Sequence, residues 1–116
     1  MIWDGILVEA FMDVNGIGLS GMNAAALGIA VNANNVANVN TKDFRAQRLE
    51  QEDLAQGGTR PEALVESREP VAPEGSNVDL ATEMTDLIGQ GGAYQANLKV
   101  IQAQDQMLGT AMDLKA

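Results

Sequence analysis

The sequence has no cysteine and no histidine, and aromatic residues make up only 3% of its 116 residues. Without cysteine, the chain can form no disulfide, thiolate metal site or cysteine nucleophile. Without histidine, the commonest general base is missing, and the clustered carboxylates lack the spacing of a calcium-binding loop. The sequence therefore predicts a protein that is not an enzyme and that takes no cofactor, no metal and no small-molecule substrate.

Basic residues are also scarce, with 7 lysines and arginines against 16 acidic residues and a formal net charge of −9. Because contacts to phosphates need clustered lysine and arginine, nucleic-acid binding is not expected. No charged residue occurs from Val14 to Thr41, as in a membrane span, but seven asparagines lie in this stretch. Each amide would be costly in hydrocarbon, so the sequence predicts no membrane span.

The stretch from residue 19 to residue 36 has the spacing of a helix that packs against a partner. Apolar or small side chains recur at alternating intervals of three and four residues, which is the heptad pattern of a coiled coil. Ser20 is a suitable N-cap, and a helix is predicted from about Leu19 to Val39. The predicted pairing seam of this helix consists of Leu19, Met22, Ala26, Ile29, Ala33 and Val36.

A longer helix is predicted from about Val78 to Leu114. Ser76 or Asn77 can cap its N-terminus, and the helix dipole favours the carboxylate of Asp79 in the first turn. At ~1.5 Å per residue this helix would be roughly 55 Å long, so it needs a partner along its length. The predicted pairing seam of this helix consists of Leu80, Met84, Leu87, Tyr94, Leu98, Ile101, Leu108 and Met112.

Three glycines, Gly89, Gly91 and Gly92, fall inside the second predicted helix. Each costs about 1 kcal/mol relative to alanine in a helix interior. They indicate a kink, a frayed segment or a close backbone contact, and a simple local weakening without a role accounts for them equally well.

The segment between the two helices is rich in proline and glycine, and only "ALVES" has the character of a short strand. The sequence therefore predicts an all-α fold. An N-terminal helix and a long C-terminal helix pack as an antiparallel helical hairpin or coiled coil, joined by a partly irregular connector. The predicted divisions are an N-terminal extension that can be disordered (1–15), the first helix (16–40), the connector (41–75) and the second helix (76–116).

The stretch "NNVANVNTKDF" resembles the N-terminal signature of bacterial flagellar axial proteins, the basal-body rod and hook family. That signature is usually Asn-Asn-(Ile/Leu/Val)-Ala-Asn-x-(Asn/Ser)-Thr-Pro-Gly-(Tyr/Phe). Lys42-Asp43 stands here in place of the usual Pro-Gly. The residues that match the signature are Asn34, Asn35, Val36, Ala37, Asn38, Asn40, Thr41 and Phe44.

The stretch from Ser76 to Leu114 is similar to the C-terminal helix of the same family. Gly91-Gly92 replaces the usual Gln-Arg, and the connector is too short to hold the outer domains of hook and distal rod proteins. The matching residues are Ser76, Asn77, Val78, Asp79, Leu80, Glu83, Met84, Leu87, Ile88, Ala93, Tyr94, Asn97, Lys99, Ile101 and Met107.

This resemblance implies a short rod-type structural subunit without outer domains. Such a subunit is exported by the flagellar type III apparatus and polymerises through coiled-coil packing of its terminal helices. Its partners would be copies of itself, other rod and hook subunits and the export apparatus, in the periplasm-spanning rod of the basal body. The alternative is a small acidic helical export chaperone or adaptor of a type III system, which would form a stable dimer in the cytoplasm.

Overall fold

The computed structural model describes residues 2–114, with side-chain environments for residues 5, 6, 9 and 14–114. Two long helices enclose a β-hairpin in the chain order: α1 (Ile2–Ala37), β1 (Gln47–Asp53), β2 (Thr59–Glu66) and α2 (Leu80–Asp113). The molecule is a rod of 68 × 23 × 14 Å.

The two helices run antiparallel and approach each other closely. A Cβ atom built on Gly18 would lie 2.9 Å from Cγ1 of Ile101, and one built on Gly28 would lie 2.8 Å from the Cδ atom of Gln90. Contacts therefore move toward the N-terminus of α2 as they move toward the C-terminus of α1. A Cβ at either position would force the facing side chain to move, which costs most at Gly18, where the neighbour is the branched side chain of Ile101.

The face of α1 that contacts α2 carries small residues and amides. Its members follow the heptad pattern at intervals of three and four residues, and all are buried or half-buried. They lie one position before the predicted seam, because glycine and alanine permit a closer approach than leucine or methionine would. The inner row of α1 consists of Gly18, Gly21, Ala25, Gly28, Asn32 and Asn35.

The seam residues predicted for α1 are consequently rotated away from the contact with α2. Leu19, Ala26 and Ala33 are exposed. The other three predicted members, Met22, Ile29 and Val36, are half-buried at the edge of the contact.

The least exposed face of α2 is a mixed row of apolar and polar side chains. Four predicted seam residues belong to this row: Leu87, Tyr94, Ile101 and Leu108. Polar residues fill most of the alternate positions. The inner row of α2 consists of Glu83, Leu87, Gln90, Tyr94, Asn97, Ile101, Gln104, Leu108 and Ala111. The other four predicted members, Leu80, Met84, Leu98 and Met112, are exposed.

The prediction of an all-α fold is wrong, because the connector contains an antiparallel β-hairpin. Its strands are mostly polar and contact α1 instead of forming a core of their own, so no alternating apolar pattern marks them in the sequence. Pro61 lies beside the register shift between Glu50 and Gln51, where a strand tolerates a residue without an N–H group. Gly57 and Gly58, with φ of 96° and 90°, make the turn.

The predicted start of the first helix is also wrong. α1 is continuous from Ile2, so residues 2–15 are part of the helix and not a separate extension. Ser20 lies in the helix interior, where its hydroxyl donates to the carbonyl of Ile17 (2.7 Å) and accepts from the N–H of Thr59 (3.2 Å). It thus ties α1 to the hairpin and does not cap the helix.

Candidate functional site

The buried amide of Asn35 joins α1 to the first strand. This side chain has 0% exposure. Its Nδ2 donates to the carbonyl of Gln47 (2.7 Å), and its Oδ1 accepts from the N–H of the same residue (2.9 Å). The amide therefore satisfies both backbone groups at the start of β1, as a neighbouring strand would.

The same asparagine reaches α2 through a buried carboxylate. Glu83 is only 6% exposed, and its Oε2 accepts from Asn32 Nδ2 (2.6 Å) and Asn35 Nδ2 (3.1 Å). Among the residues described, the one ion pair within 4.0 Å joins Arg60 and Glu52, so neutral amides alone hold this carboxylate. Hydrogen bonds to a charged group are stronger than neutral ones, which makes this cluster the polar clamp between α1, β1 and α2.

The next motif residues terminate α1. Asn38 Nδ2 donates to the carbonyl of Asn34 (2.8 Å), and the Thr41 hydroxyl donates to Asn38 Oδ1 (3.1 Å). The carbonyl of Asn34 also accepts the backbone N–H of Asn38 (3.1 Å), so the Asn38 amide adds a second hydrogen bond to the last turn of α1. The Asn38 side chain therefore ties the residues that follow α1 back to its last turn, whereas Asn35 joins α1 to β1 and α2.

The turn after α1 forms although Lys42-Asp43 stands in place of the usual Pro-Gly. The N–H of Phe44 donates to the carbonyl of Thr41 (3.2 Å), and Asp43 has φ of 62°. A positive φ at the third residue is what a type II turn requires, and glycine normally supplies it. Aspartate adopts it here, and the chain leaves the helix through a closed turn.

The Ser76-Asn77 pair fastens the other end of the connector. Asn77 Oδ1 accepts from the N–H of Ala46 (2.6 Å), and the Ser76 hydroxyl donates to the carbonyl of Val39 (2.7 Å). Neither residue caps α2 as the sequence suggested. The N-cap is Asp79, whose carboxylate accepts from the N–H groups of residues 81 and 82.

Most large apolar side chains on the helices are left uncovered. Within the part of the chain whose side chains are described, only Ala24, Ala25 and Val31 are buried hydrophobic residues. The one buried side chain of α2 is the acidic residue Glu83. The exposed large apolar residues of the helices are Ile6, Val14, Ile17, Leu19, Leu27, Leu80, Met84, Ile88, Leu98, Val100, Met107 and Met112, and Leu114 at the C-cap of α2 is also exposed.

One of these helices is apolar over a long distance. The segment Val14–Ala37 is long and apolar enough to cross a membrane by length and composition, a property shared by core helices of water-soluble proteins. No group of three or more acidic side chains that could hold a metal ion is found among the residues described.

Each of the two helices lies in a stretch that matches a known protein family. Residues 17–45, which hold the end of α1 and the turn after it, match the family model described as Flagella basal body rod protein. Residues 72–114, which hold α2 and its cap, match the model described as Flagellar basal body rod FlgEFG protein C-terminal. No curated protein sequence matches the chain. Two matches in the family's order, one on each helix, show that the chain belongs to the flagellar axial proteins of the rod and hook and is a component of the flagellar basal body.

Proposed function

We propose that the chain is a structural subunit of the flagellar rod that is exported by the flagellar type III apparatus and polymerises through helix packing. One observation carries this proposal: helix α2 has 34 residues and buries none of its apolar side chains fully within the chain. In proteins most of the stability of a helix comes from the packing of an apolar face, and this helix has most of its large apolar side chains exposed. Neighbouring subunits would supply the missing cover.

The gain from such cover is large compared with the stability of a small domain. Fully burying one leucine, isoleucine or methionine is worth about 1.5–3 kcal/mol. On α2, Ile88 is 78% exposed and Met112 is 62% exposed, so each has most of this free energy still to gain. Several such residues per subunit would stabilise an assembly far more than they stabilise the isolated chain.

Export through a narrow channel suits the same architecture. A chain with a small apolar core has a low free energy of unfolding, and this chain has no disulfide to break. The export apparatus would therefore unfold it with little work. The subunit would gain its stability only after leaving the channel, when its helices meet those of other subunits.

The proposal is tested by locating the chain in the cell that makes it. We expect the tagged chain in purified hook–basal bodies and its loss from them when the type III export ATPase is inactivated. A chain that stays in the cytoplasm as a stable soluble complex, and is absent from hook–basal bodies, would instead support the export chaperone or adaptor.

A further inference from the structure

A small cavity lies beside the polar clamp, where α1, the start of β1 and the start of α2 meet. Its volume is about 190 Å³, and its walls include Gly28, Asn32, Gln47, Arg48 and Glu83. One water molecule occupies about 30 Å³ of liquid, so the cavity has room for the end of a long side chain. It is smaller than the pockets of about 300–1,000 Å³ that bind drug-sized ligands.

The buried carboxylate in this cavity uses only one of its two oxygen atoms. Glu83 is 6% exposed, and its Oε2 atom accepts both hydrogen bonds, from Asn32 and Asn35. Among the residues described, no side chain donates to Oε1, and no lysine or arginine lies within 4.0 Å of the carboxylate. Burying a charge is costly unless it is paired. Because Glu83 lines the cavity, its free oxygen is available to a cationic donor placed there.

The other charges around the cavity also favour a cation. Glu69, Asp79 and Asp86 line it together with Glu83. Arg48 is the one basic residue in the described wall, and its guanidinium lies farther than 4.0 Å from every carboxylate described. With four acidic residues against one basic residue, the cavity attracts positive charge.

The spread of the acceptors indicates which kind of cation fits. In the described part of the chain, no three acidic side chains lie close enough together to hold a metal ion. A guanidinium group is planar and carries five N–H donors, so it reaches several separated acceptors at once. The side-chain amides of Gln47 and Gln90, which also line the cavity, add neutral acceptors to the carboxylates. The cavity therefore suits a guanidinium group better than a compact ion.

We infer that this cavity binds an arginine side chain of a different protein. The chain's own arginines are poor candidates: Arg45 donates to two backbone carbonyls, Arg60 pairs with Glu52, and Arg48 belongs to the wall. Only Arg68 is left, and two copies with a net charge of −9 repel each other. The inference goes beyond the proposed function, because it concerns a site on the isolated chain.

NMR titration of the isotope-labelled full chain with Nα-acetyl-L-arginine amide tests the site. Sodium chloride at 0.15 M screens the general attraction of an acidic chain for cations. We expect saturable shifts of backbone amides around the cavity. The lysine analogue has the same charge without the planar fork and should bind about threefold more weakly. The citrulline analogue has the same shape without the charge and should bind roughly tenfold more weakly.

Two substitutions in α2 test the carboxylates. In Glu83→Gln, the amide oxygen can still accept from Asn32 and Asn35 while the NH₂ group replaces the free acceptor, so arginine should bind roughly tenfold more weakly. Asp86→Asn, at an exposed position, should weaken binding about threefold. The matched control is Asp105→Asn, which removes the same charge from an exposed position of α2 outside the cavity and should change nothing.

Circular dichroism establishes that each variant folds, and Asp86→Asn with the three probes still decides the matter if Glu83→Gln does not. Equal binding of the arginine and lysine probes, with equal effects of Asp86→Asn and Asp105→Asn, would reduce the site to a general attraction for cations and overturn the inference. Binding seen only in Arg48→Gln would mean that the chain's own Arg48 fills the cavity.

A second copy as the source of the arginine would also overturn the inference. It would be recognised by sedimentation velocity as a dimer that Arg68→Gln abolishes and that the arginine probe dissociates. None of these results bears on the recovery of the chain in hook–basal bodies, so failure of the cavity and failure of the proposed function are distinguishable.

Discussion

At the scale of the residue, the asparagines of the family motif divide between two tasks. Asparagine is unfavourable in a helix interior because its amide competes for backbone groups. The amide of Asn35 pairs with the backbone of Gln47, and the amide of Asn38, which follows the end of α1 at Ala37, donates to the carbonyl of Asn34. Repeated asparagine therefore suits the end of a helix that binds a neighbouring strand and is followed at once by a turn.

Removing the Asn35 side chain tests the first task. Asn35→Ala leaves the N–H and C=O groups of Gln47 and a carboxylate oxygen of Glu83 with fewer partners in a buried site. We expect the free energy of unfolding to fall by about 2–3 kcal/mol, because buried groups without partners cost about 1–3 kcal/mol each. Urea unfolding followed by circular dichroism measures the change.

The control for this change is Asn23→Ala, at an exposed position of the same helix. Alanine is the better helix former, so stability should stay the same or rise slightly. Equal effects of the two substitutions would show that Asn35 contributes no more than an ordinary surface asparagine.

The turn after α1 offers a substitution in the stabilising direction. Asp43 has φ of 62°, a conformation that glycine adopts without steric cost. Asp43→Gly should raise the free energy of unfolding by about 0.5–1 kcal/mol, and Asp43→Val should lower it. Thermal unfolding of the two variants checks this, and a stabilised valine variant would contradict the turn assignment.

At the scale of the element, the sequence was informative about helices and poor about their faces. Heptad spacing predicts both helices, but the residues of α1 that contact α2 lie one position before the predicted seam. Sequence reasoning favours apolar side chains, whereas the contact uses Gly18, Gly21 and Gly28, whose value lies in having no side chain. Such a close approach of two helices is recognised only in the structure, where the distances between them can be measured.

The sequence does not predict the hairpin or the polar clamp, because both depend on contacts with distant parts of the chain. The strands hold few apolar residues, so their pairing depends on backbone hydrogen bonds and on support from α1. Glu83 is an ordinary acidic residue of a helix in the sequence. Its burial depends on two amides from a helix 48 and 51 positions earlier in the chain. The resemblance to the rod and hook family was the stronger guide to function.

The glycines of the two helices should respond to alanine in opposite directions. No atom lies within 4 Å of a Cβ built on Gly92, so Gly92→Ala should stabilise the isolated chain by about 1 kcal/mol. A Cβ on Gly18 would lie 2.9 Å from the branched side chain of Ile101, so Gly18→Ala should destabilise the chain by about 1 kcal/mol.

Because both variants replace a helix glycine with alanine, Gly18→Ala in α1 and Gly92→Ala in α2 serve as controls for each other. Urea unfolding of both variants measures the difference, which should be about 2 kcal/mol. If both alanines stabilise the chain, the helices are not as closely packed as Gly18 requires. If Gly92→Ala is destabilising, that glycine is needed within the chain and not only tolerated.

At the scale of the whole molecule, two opposing forces act between copies of the chain: their negative charges repel each other, and their exposed apolar faces attract each other. Each copy carries a net charge of −9, and the apolar surface that would attract a second copy lies on the same narrow body. The apolar attraction depends little on moderate salt. The repulsion acts over the Debye length, which falls from about 30 Å at 0.01 M to about 8 Å at 0.15 M ionic strength.

Self-association should therefore strengthen as salt is added. We expect the fraction of assembled chain, measured by sedimentation velocity at fixed protein concentration, to rise several-fold between 0.01 M and 0.15 M sodium chloride as screening takes effect. Weaker association at the higher salt concentration would mean that ion pairs, and not apolar contacts, hold the subunits together.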